Sequence, residues 1–192
     1  MIGIIARFNT IEELSLPENP VHWVRTIAGD IMPAPENVQR GEIMTANITV
    51  SAVTENDLDS VRLLLQELLN VMDDTEVFSI EQSEKNFQRM LVEHDNYMLA
   101  ARKDDDIIGF INFSVRKTLM HPEPSGLIDE LVVSESSRGL GVGKLLINAV
   151  IEQCRELGCC ELEVSTEKSN KNARQFYKSC GFEEGVLFEL DL

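Results

Sequence analysis

The segment that most constrains the fold is a glycine pattern between a strand-like run and a helix-like run. Arg138-Gly139-Leu140-Gly141-Val142-Gly143 follows the apolar run 131–133 and precedes an apolar-periodic segment, 145–151. Glycines let the backbone approach a ligand closely, and the first amides of a helix point at an anion. The pattern therefore predicts a phosphate-binding turn between a strand and a helix.

Two common phosphate-binding motifs do not fit this turn. A P-loop requires glycine where Arg138 stands and a hydroxyl residue where Leu145 stands. A dinucleotide-binding fingerprint that starts at Gly139 requires a third glycine where the chain has Lys144, and it usually opens a βαβ unit near the N-terminus. What is left is an arginine followed by two spaced glycines.

A second motif lies further along the chain and makes the first more specific. Residues 170–182 read NKNARQFYKSCGF and fit the pattern N-x-x-A-x-x-x-Y-x-x-x-G-F. In this order, with one predicted helix and one predicted strand between them, the two motifs resemble those of the GNAT acyltransferase superfamily. The resemblance covers residues 48–192.

The resemblance implies an α/β fold with a GNAT-like mixed sheet, helices on both of its faces, and two strands splayed apart at the site of acetyl-CoA. In the family, loop amides bind the pyrophosphate, strand backbone binds pantetheine, and the amide at the position of Val133 polarises the thioester carbonyl. No metal is expected. The resemblance assigns the coenzyme to Leu131, Val132, Val133, Arg138, Gly139, Leu140, Gly141, Val142, Gly143, Lys144, Asn170, Ala173 and Tyr177.

Transfer of an acyl group from a thioester to an amine also needs a proton donor for the departing thiolate. Tyr177 occupies the position at which many family members carry this general acid. A phenol with a pKa of about 10 can protonate a thiolate whose pKa is near 8.5 when it is held against the sulfur. The alternative is that Tyr177 packs in the core with its hydroxyl satisfied. Asn170 likewise has two interpretations, a pantetheine ligand and a simple helix N-cap.

The proton acceptor for the amine has several candidates. Strand alternation puts Asp129 on the face of Leu131 and Val133, and Glu130 on the opposite face. A carboxylate near the centre of a sheet is desolvated, which raises its pKa and suits a base. We favour Glu130, with Glu163 second. Either carboxylate could instead orient the substrate ammonium or lie at the surface as a solvated group.

The composition limits the classes of partner. A net charge of −16 argues against nucleic-acid binding, which usually needs a basic face. No run of about 18 apolar residues predicts a membrane span, and no secretory signal is evident. The four cysteines fit no zinc-ligand spacing, so we expect reduced thiols and a cytoplasmic location. An acidic surface favours a cationic acceptor, although it can equally serve solubility alone.

Apolar periodicity predicts one mixed α/β sheet in the main part of the chain. The predicted strands are Ile48–Val53, Tyr97–Lys103, Ile107–Val115, Leu127–Val133, Cys160–Thr166 and Val186–Leu190. The predicted helices are one after a Thr54 cap, Ile80–Val92 after a Ser79 cap, Gly141–Leu157 and Asn170–Cys180.

The N-terminal residues 1–45 form an arm distinct from the acetyltransferase-like domain, 46–192. We expect a strand at Ile2–Ala6 and a helix that begins after Asn19-Pro20 and carries an apolar stripe from Val24 to Ile31. The arm has three interpretations: a lid over the acceptor site, a dimerisation element that would make the protein a homodimer, or plain packing.

The function that the resemblance implies is N-acetyltransfer from acetyl-CoA to a primary amine of a small molecule, by direct attack in a ternary complex. Within the superfamily the segments around Glu130 and Tyr177 look like the aminoalkylphosphonate and aminoglycoside type. Two alternatives stay open. One is an enzyme that acetylates a protein or peptide, and the other is a non-catalytic sensor or interaction module that binds acyl-CoA.

Overall fold

The computed structural model describes residues 23–25, 31–33, 43–45, 48–69, 80–119 and 121–190. The chain separates into two compact units, residues 1–36 and residues 37–192. The predicted strand Ile2–Ala6 and the caps at Asn19 and Ser79 lie outside the described residues.

The described part of the first unit is a pair of antiparallel strands. β1 (Trp23–Arg25) pairs with β2 (Ile31–Pro33), with Val24 opposite Met32. The predicted helix with a stripe from Val24 to Ile31 is therefore wrong. Its apolar positions are largely β-branched, and Gly29 would lie in its interior, so local propensity favours extended backbone over a helix.

The second unit is built on one six-stranded sheet whose strands follow chain order. All neighbouring strands are antiparallel except the last pair, which is parallel. The strands are β3 (Ile43–Thr45), β4 (Ile48–Ala52), β5 (Asn96–Lys103), β6 (Asp106–Arg116), β7 (Ser125–Val133) and β8 (Glu161–Val164). Because β3 pairs with β4, the sheet begins before residue 46, where the sequence placed the start of the domain.

Helices cover both faces of this sheet, so the predicted α/β class is confirmed. The helices are α1 (Leu58–Leu69), α2 (Ile80–Met90), α3 (Val142–Glu156) and α4 (Lys171–Ser179). Short 3-10 helices, Glu55–Asp57 and Glu135–Ser137, precede α1 and follow β7. α1 and α2 pack on one face around Val61, Leu64 and Phe87, whereas α3 and α4 pack on the other face.

An ion pair ties the start of α1 to the sheet. Arg102 on β5 donates two hydrogen bonds to the Asp57 carboxylate, at 2.9 and 2.8 Å, and a third to Ser51. The same carboxylate accepts from the amide and hydroxyl of Thr54, which is the predicted cap. Every oxygen of this largely buried carboxylate is thus engaged, which fixes where α1 begins over the sheet.

The N-terminus of α3 approaches α4 closely because residue 143 is glycine. A Cβ at Gly143 would lie 3.1 Å from Cζ of Phe176 on α4 and 3.7 Å from Cγ2 of Val133 on β7. A side chain at position 143 would therefore separate three elements that meet there.

The predicted last strand, Val186–Leu190, is not formed in this structure. These residues have no regular secondary structure, and Val186 and Phe188 are 81% and 92% exposed. The alternation of apolar and polar residues was compatible with a strand, but a strand forms only where a neighbour pairs with it. β8 is the edge of the described sheet, and no described segment pairs with its outer side.

None of the helices in the described ranges is long and apolar enough to cross a membrane.

The Asp57–Arg102 pair yields a prediction for stability. Asp57→Asn leaves the guanidinium without its charged partner, so we expect the free energy of unfolding to fall by about 3 kcal/mol at pH 7. Arg102 lowers the pKa of Asp57 below its ordinary value, with its hydrogen bonds as the largest cause. The stabilisation is therefore present above about pH 4 and is lost as the pH falls through the folded-state pKa, so the two proteins should converge in acid.

Urea denaturation across this pH range measures both effects. Glu81→Gln is the matched control, because it breaks an exposed ion pair with Lys85 and should change the unfolding free energy by less than about 0.5 kcal/mol. Equal losses in the two variants would contradict the role given to Asp57.

The contact at Gly143 yields a second prediction. Gly143→Val places two methyl groups against Phe176 and Val133, so we expect a loss of about 1–3 kcal/mol in the free energy of unfolding. Gly185→Ala is the control, since a Cβ there meets nothing within 4 Å. Phe176→Leu should restore part of the loss in the Gly143→Val background, and a purely additive double variant would contradict the contact.

Candidate active site

Strands β7 and β8 are paired only along the first half of β7. They are paired from Ser125 opposite Glu161 to Ile128 opposite Val164, and no pairing continues beyond. On its other side β7 stays paired with β6 as far as Val133. The sheet therefore contains a gap beside the second half of β7, which is the predicted splay.

The backbone of Val133 faces this gap. The Ser134 amide donates to the Ile108 carbonyl of β6 at 2.9 Å, so by strand alternation Val133 and Leu131 direct their amides and carbonyls away from β6. Within the described residues, the Val133 amide has no hydrogen-bond acceptor. An unpaired amide at this place is available to a ligand in the gap.

The glycine loop next to the gap presents further unpaired amides. Gly139 and Gly141 adopt φ values of 79° and 82°, which side chains with a Cβ rarely adopt. The amides of Gly139, Gly141, Val142 and Gly143 donate to no described carbonyl. These amides and the N-terminus of α3 form an anion-binding concavity.

Two amides of the predicted cradle are used inside the loop itself. The Arg138 amide donates to the Glu135 carbonyl at 3.3 Å, and the Leu140 amide donates to the Ser137 carbonyl at 3.4 Å. The Arg138 guanidinium donates to the Val133 carbonyl at 3.3 Å and otherwise lies exposed. Lys144, in the first turn of α3, is also exposed, so two cations flank the free amides.

Tyr177 on α4 lies on the same side of the sheet as α3. Its ring makes edge contacts with Phe176 and Phe182, at centroid distances of 5.3 and 5.8 Å. It packs against the core cluster that also takes up Leu131 and Val133. Its hydroxyl makes no hydrogen bond to a described residue, and burial raises the pKa of the phenol. Tyr177 is thus a protonated donor whose hydroxyl has no partner among the described residues.

Asn170 caps α4 in the way that one of its two interpretations predicts. Its Oδ1 accepts from the Ala173 amide at 3.0 Å. Because the cap uses the carbonyl oxygen, the exposed Nδ2 group is left as a donor for a ligand.

Glu130 lies on the opposite side of the sheet, half-buried and next to a buried amide. Asn112, directly across on β6, donates from Nδ2 to Oε2 of Glu130 at 2.6 Å. Burial is the largest influence on the Glu130 carboxyl and raises its pKa, the bond from Asn112 opposes this, and the charge of Asp129 adds to the rise. A carboxylate with a raised pKa is a stronger proton acceptor than an ordinary glutamate.

Asp129 lies on the side of Glu130, not on the side of Leu131 and Val133 that alternation predicted. Asn112 pairs with Glu130 and Phe113 pairs with Ile128, so Asp129 is the extra residue of a β-bulge. Its carboxylate is bonded to Ser114 of β6, and loss of hydration raises its pKa more than that bond and the charge of Arg116 lower it. The prediction was wrong because a bulge breaks strict alternation.

Glu163 of β8 shares this face of the sheet, as its flanking residues predicted. Its carboxylate is ion-paired with Arg116 of β6, which also donates to Ser125 at 3.3 Å. The structure therefore brings all three candidate carboxylates together on one face, but it engages Glu163 with a guanidinium. Glu130 is the more available proton acceptor.

Sequence reasoning missed the β6 side chains Asn112, Ser114 and Arg116. They belong to no motif, and their relation to β7 depends on a strand register that only the structure gives. One signal was present, since Asn112 interrupts an apolar run of β6 in which Ile111 and Phe113 are fully buried. A polar residue in such a run usually has a specific partner.

The site fits an acyl-CoA in two respects. Free loop amides, with Arg138 and Lys144, match a pyrophosphate. The unpaired edge of β7 in the gap matches an extended chain with amide groups, such as pantetheine. The residues described contain no group of three or more His, Cys, Asp or Glu side chains that could hold a metal ion.

Two relatives named as acetyltransferases are similar to this chain over about three quarters of its length. The aminoalkylphosphonate N-acetyltransferase of Salmonella typhimurium is 29% identical over 146 residues, which are 76% of this chain and 91% of that protein. An aminoglycoside acetyltransferase from an uncultured soil metagenomic sample, solved with sisomicin, is 25% identical with a TM-score of 0.63, covering 76% of this chain and 97% of that one.

A second solved structure shows the same fold. AAC(6')-Iy, in complex with the bisubstrate analogue CoA-S-monomethyl-acetylneamine, is 22% identical with a TM-score of 0.65, covering 77% of this chain and 99% of that one. The model of the acetyltransferase (GNAT) family matches residues 60–182. With that match over more than half of its length, the chain belongs to the GNAT family of acetyltransferases.

Proposed function

We propose that this protein is an N-acetyltransferase that moves an acetyl group from acetyl-CoA to a primary amine of a small molecule, by direct attack in a ternary complex. The observation that carries the proposal is the gap between β7 and β8, with the unpaired Val133 amide at its edge and the glycine-loop amides at its end. The family membership supports the same reaction class.

Binding of acetyl-CoA is assigned to backbone groups supported by two cations. The amides of Gly139 and residues 141–143 would hold the pyrophosphate, with Arg138 and Lys144 adding positive charge. Leu131, the Val133 edge and the free Nδ2 of Asn170 would hold the pantetheine. Since the whole chain carries a charge of −16, most of the anion binding has to come from these local groups.

Activation of the amine is assigned to Glu130. An ammonium has no free electron pair, so Glu130 must first take one of its protons, directly or through water. The amine nitrogen then attacks the thioester carbon, whose oxygen the Val133 amide would polarise. The C–N bond forms with the nitrogen pair and gives a tetrahedral intermediate, whose nitrogen loses its second proton to water. The C–S bond then breaks with its electrons on sulfur.

Protonation of the departing sulfur is assigned to Tyr177. Its phenol stays protonated because burial raises its pKa, and its hydroxyl has no competing partner among the described residues. Tyr177 and Glu130 lie on opposite faces of the sheet, and the gap beyond Ile128 and Val164 is the opening that joins those faces. In this assignment the base acts on the amine before it adds to the carbonyl, and the acid acts on the sulfur as it leaves the tetrahedral intermediate.

A small cationic acceptor fits the face that carries Glu130. Asp129, Glu130 and Glu163 supply three carboxylates there, and of these Glu163 is ion-paired with Arg116. An excess of negative charge raises the local concentration of cations and holds an ammonium near the base. Two relatives are named for the acetylation of aminoalkylphosphonates and aminoglycosides, which supports a small amine as the acceptor.

The proposed reaction is tested by release of free CoA from acetyl-CoA with panels of simple amines, polyamines, aminoglycosides, aminoalkylphosphonates and peptides. We expect turnover with at least one class of small amine. Turnover with peptides alone would shift the proposal to a protein acetyltransferase. Binding of acetyl-CoA without turnover of any amine would instead favour a non-catalytic sensor.

Tyr177→Phe tests the assigned acid without removing the ring contacts of Phe176 and Phe182. We expect kcat to fall about 10²-fold, which is the lower end for loss of a positioned acid. The Kd for acetyl-CoA, measured by calorimetry, should change little because only the hydroxyl is lost. An unchanged kcat would remove Tyr177 from the acid role.

A further inference from the structure

Asn112 is a buried asparagine whose side-chain oxygen has no hydrogen-bond partner. Its side chain is 2% exposed, its Nδ2 donates to Glu130, and its Oδ1 is buried without a hydrogen-bond partner. Buried acceptors without a donor are rare, because desolvation costs free energy that a hydrogen bond normally offsets. The orphan oxygen therefore calls for a donor that arrives in another state of the site.

Packing does not account for an asparagine at this position. The neighbours Ile111 and Phe113 are fully buried apolar residues, and Met98 of β5 lies opposite. An apolar residue of similar volume would fill the position without leaving an orphan acceptor. The one contact that needs an amide is the 2.6 Å bond to Glu130.

The donor that can reach this oxygen is Glu130 itself. An ionised carboxylate only accepts hydrogen bonds, whereas a protonated carboxyl has one O–H to donate. The two ends of an asparagine amide have nearly the same shape, so a half-turn about χ2 exchanges Nδ2 and Oδ1 in one cavity. In one orientation Asn112 donates to the ionised Glu130 through Nδ2 and its Oδ1 is the unpartnered end. In the other orientation it accepts from the protonated Glu130 through Oδ1 and its Nδ2 is the unpartnered end, so the bond to Glu130 is kept in both states.

We propose that Asn112 is the positioning residue of the Glu130 base and that its amide turns over when Glu130 takes a proton, so that each protonation state keeps a hydrogen bond. This inference rests on the proposed function, in which Glu130 is the proton acceptor. The proton passes from the amine nitrogen to Oε of Glu130, the nitrogen keeps the electron pair, and the O–H then donates to Oδ1 of Asn112. Release of the proton to water restores the first orientation.

The β-bulge beside Asn112 places a second carboxylate next to Glu130. It starts directly after Asn112 and brings Asp129 to the side of Glu130, so a second negative charge lies next to the base. Two neighbouring carboxylates favour uptake of one proton. Asn112 is hydrogen-bonded to Glu130, and Ser114 is hydrogen-bonded to Asp129. The two acidic side chains are therefore oriented separately.

Among the described residues, the other charged side chains of the elements on this face have partners of their own, and Arg102 of β5 is paired with Asp57. Arg116 of β6 is paired with Glu163 of β8 and acts on Asp129. On α1, Arg62 is paired with Asp59 and with Glu84 of α2, and Glu67 accepts the amide of Glu135. The charge of Asp129 raises the pKa of Glu130, and the hydrogen bond from Asn112 lowers it.

The test is a carboxyl ¹³C NMR titration of the full chain, with the Glu130 signal assigned from its loss in Glu130→Gln. Asn112→Leu removes the hydrogen bond in both protonation states. The bond to the ionised carboxylate is the stronger of the two because it is charge-assisted, so we expect the Glu130 midpoint to rise, by up to about one pH unit. The Asn112 side-chain amide of the wild type should titrate with the same midpoint as Glu130. Ile111→Val is the control for a buried change on the same strand, and it should leave the midpoint unchanged.

Steady-state kinetics supply the second readout. In Asn112→Leu, the acidic limb of the pH profile of kcat should move to higher pH by the same interval as the Glu130 midpoint. The KM for acetyl-CoA should be unchanged. An unmoved Glu130 midpoint, or an Asn112 amide that does not titrate, overturns the inference while turnover of amines upholds the proposed function. Absence of turnover with every amine would overturn the proposed function, and the NMR titration would still judge the pairing of Asn112 with Glu130.

Discussion

The constraint on which the site depends is the parting of two parallel strands after Ile128 and Val164. Backbone amides and carbonyls inside a protein need partners, and in a continuous sheet the neighbouring strand supplies them. Here β8 leaves the second half of β7 without that partner, while β6 holds β7 in place from the other side. The sheet thus keeps its rigidity and yet offers a row of unpaired groups, which is what a flexible ligand rich in amides requires.

The other parts of the site acquire their roles from this gap. The glycine loop continues from the end of β7 and presents its free amides there, and Gly143 lets α3 approach both Val133 and Phe176. Tyr177 packs with the α3 face, and Glu130 with Asn112 lies on the α1 face. In the proposed function, Glu130 and Tyr177 approach the reacting atoms from opposite faces of the sheet, at the place where the pairing of β7 and β8 ends.

The parts predicted from sequence were those whose cause is local. The glycines predicted a turn whose backbone can approach a ligand, and Gly139 and Gly141 adopt the positive φ of such a turn. One interpretation of Asn170 was a helix N-cap, and Asn170 caps α4. The strand register was not local, so the bulge at Asp129 and the partners of Glu130 and Glu163 emerged only from the fold. The predicted strand at 186–190 was wrong for the same reason, since no described strand pairs with it. The predicted helix in the arm was wrong for a local reason that the sequence did show, its β-branched residues and Gly29.

The most direct measurement of the central claim is a titration with acetyl-CoA followed by ¹H–¹⁵N NMR of the backbone amides. The amides of Gly139, Gly141, Val142, Gly143 and Val133 have no partner in the described residues, whereas those of Arg138 and Leu140 are already bonded within the loop. We expect the first set to shift downfield and to gain protection from hydrogen exchange, and the second set to change much less. Saturable binding that leaves the Val133 and glycine-loop amides unperturbed would contradict the assignment of the gap as the coenzyme site.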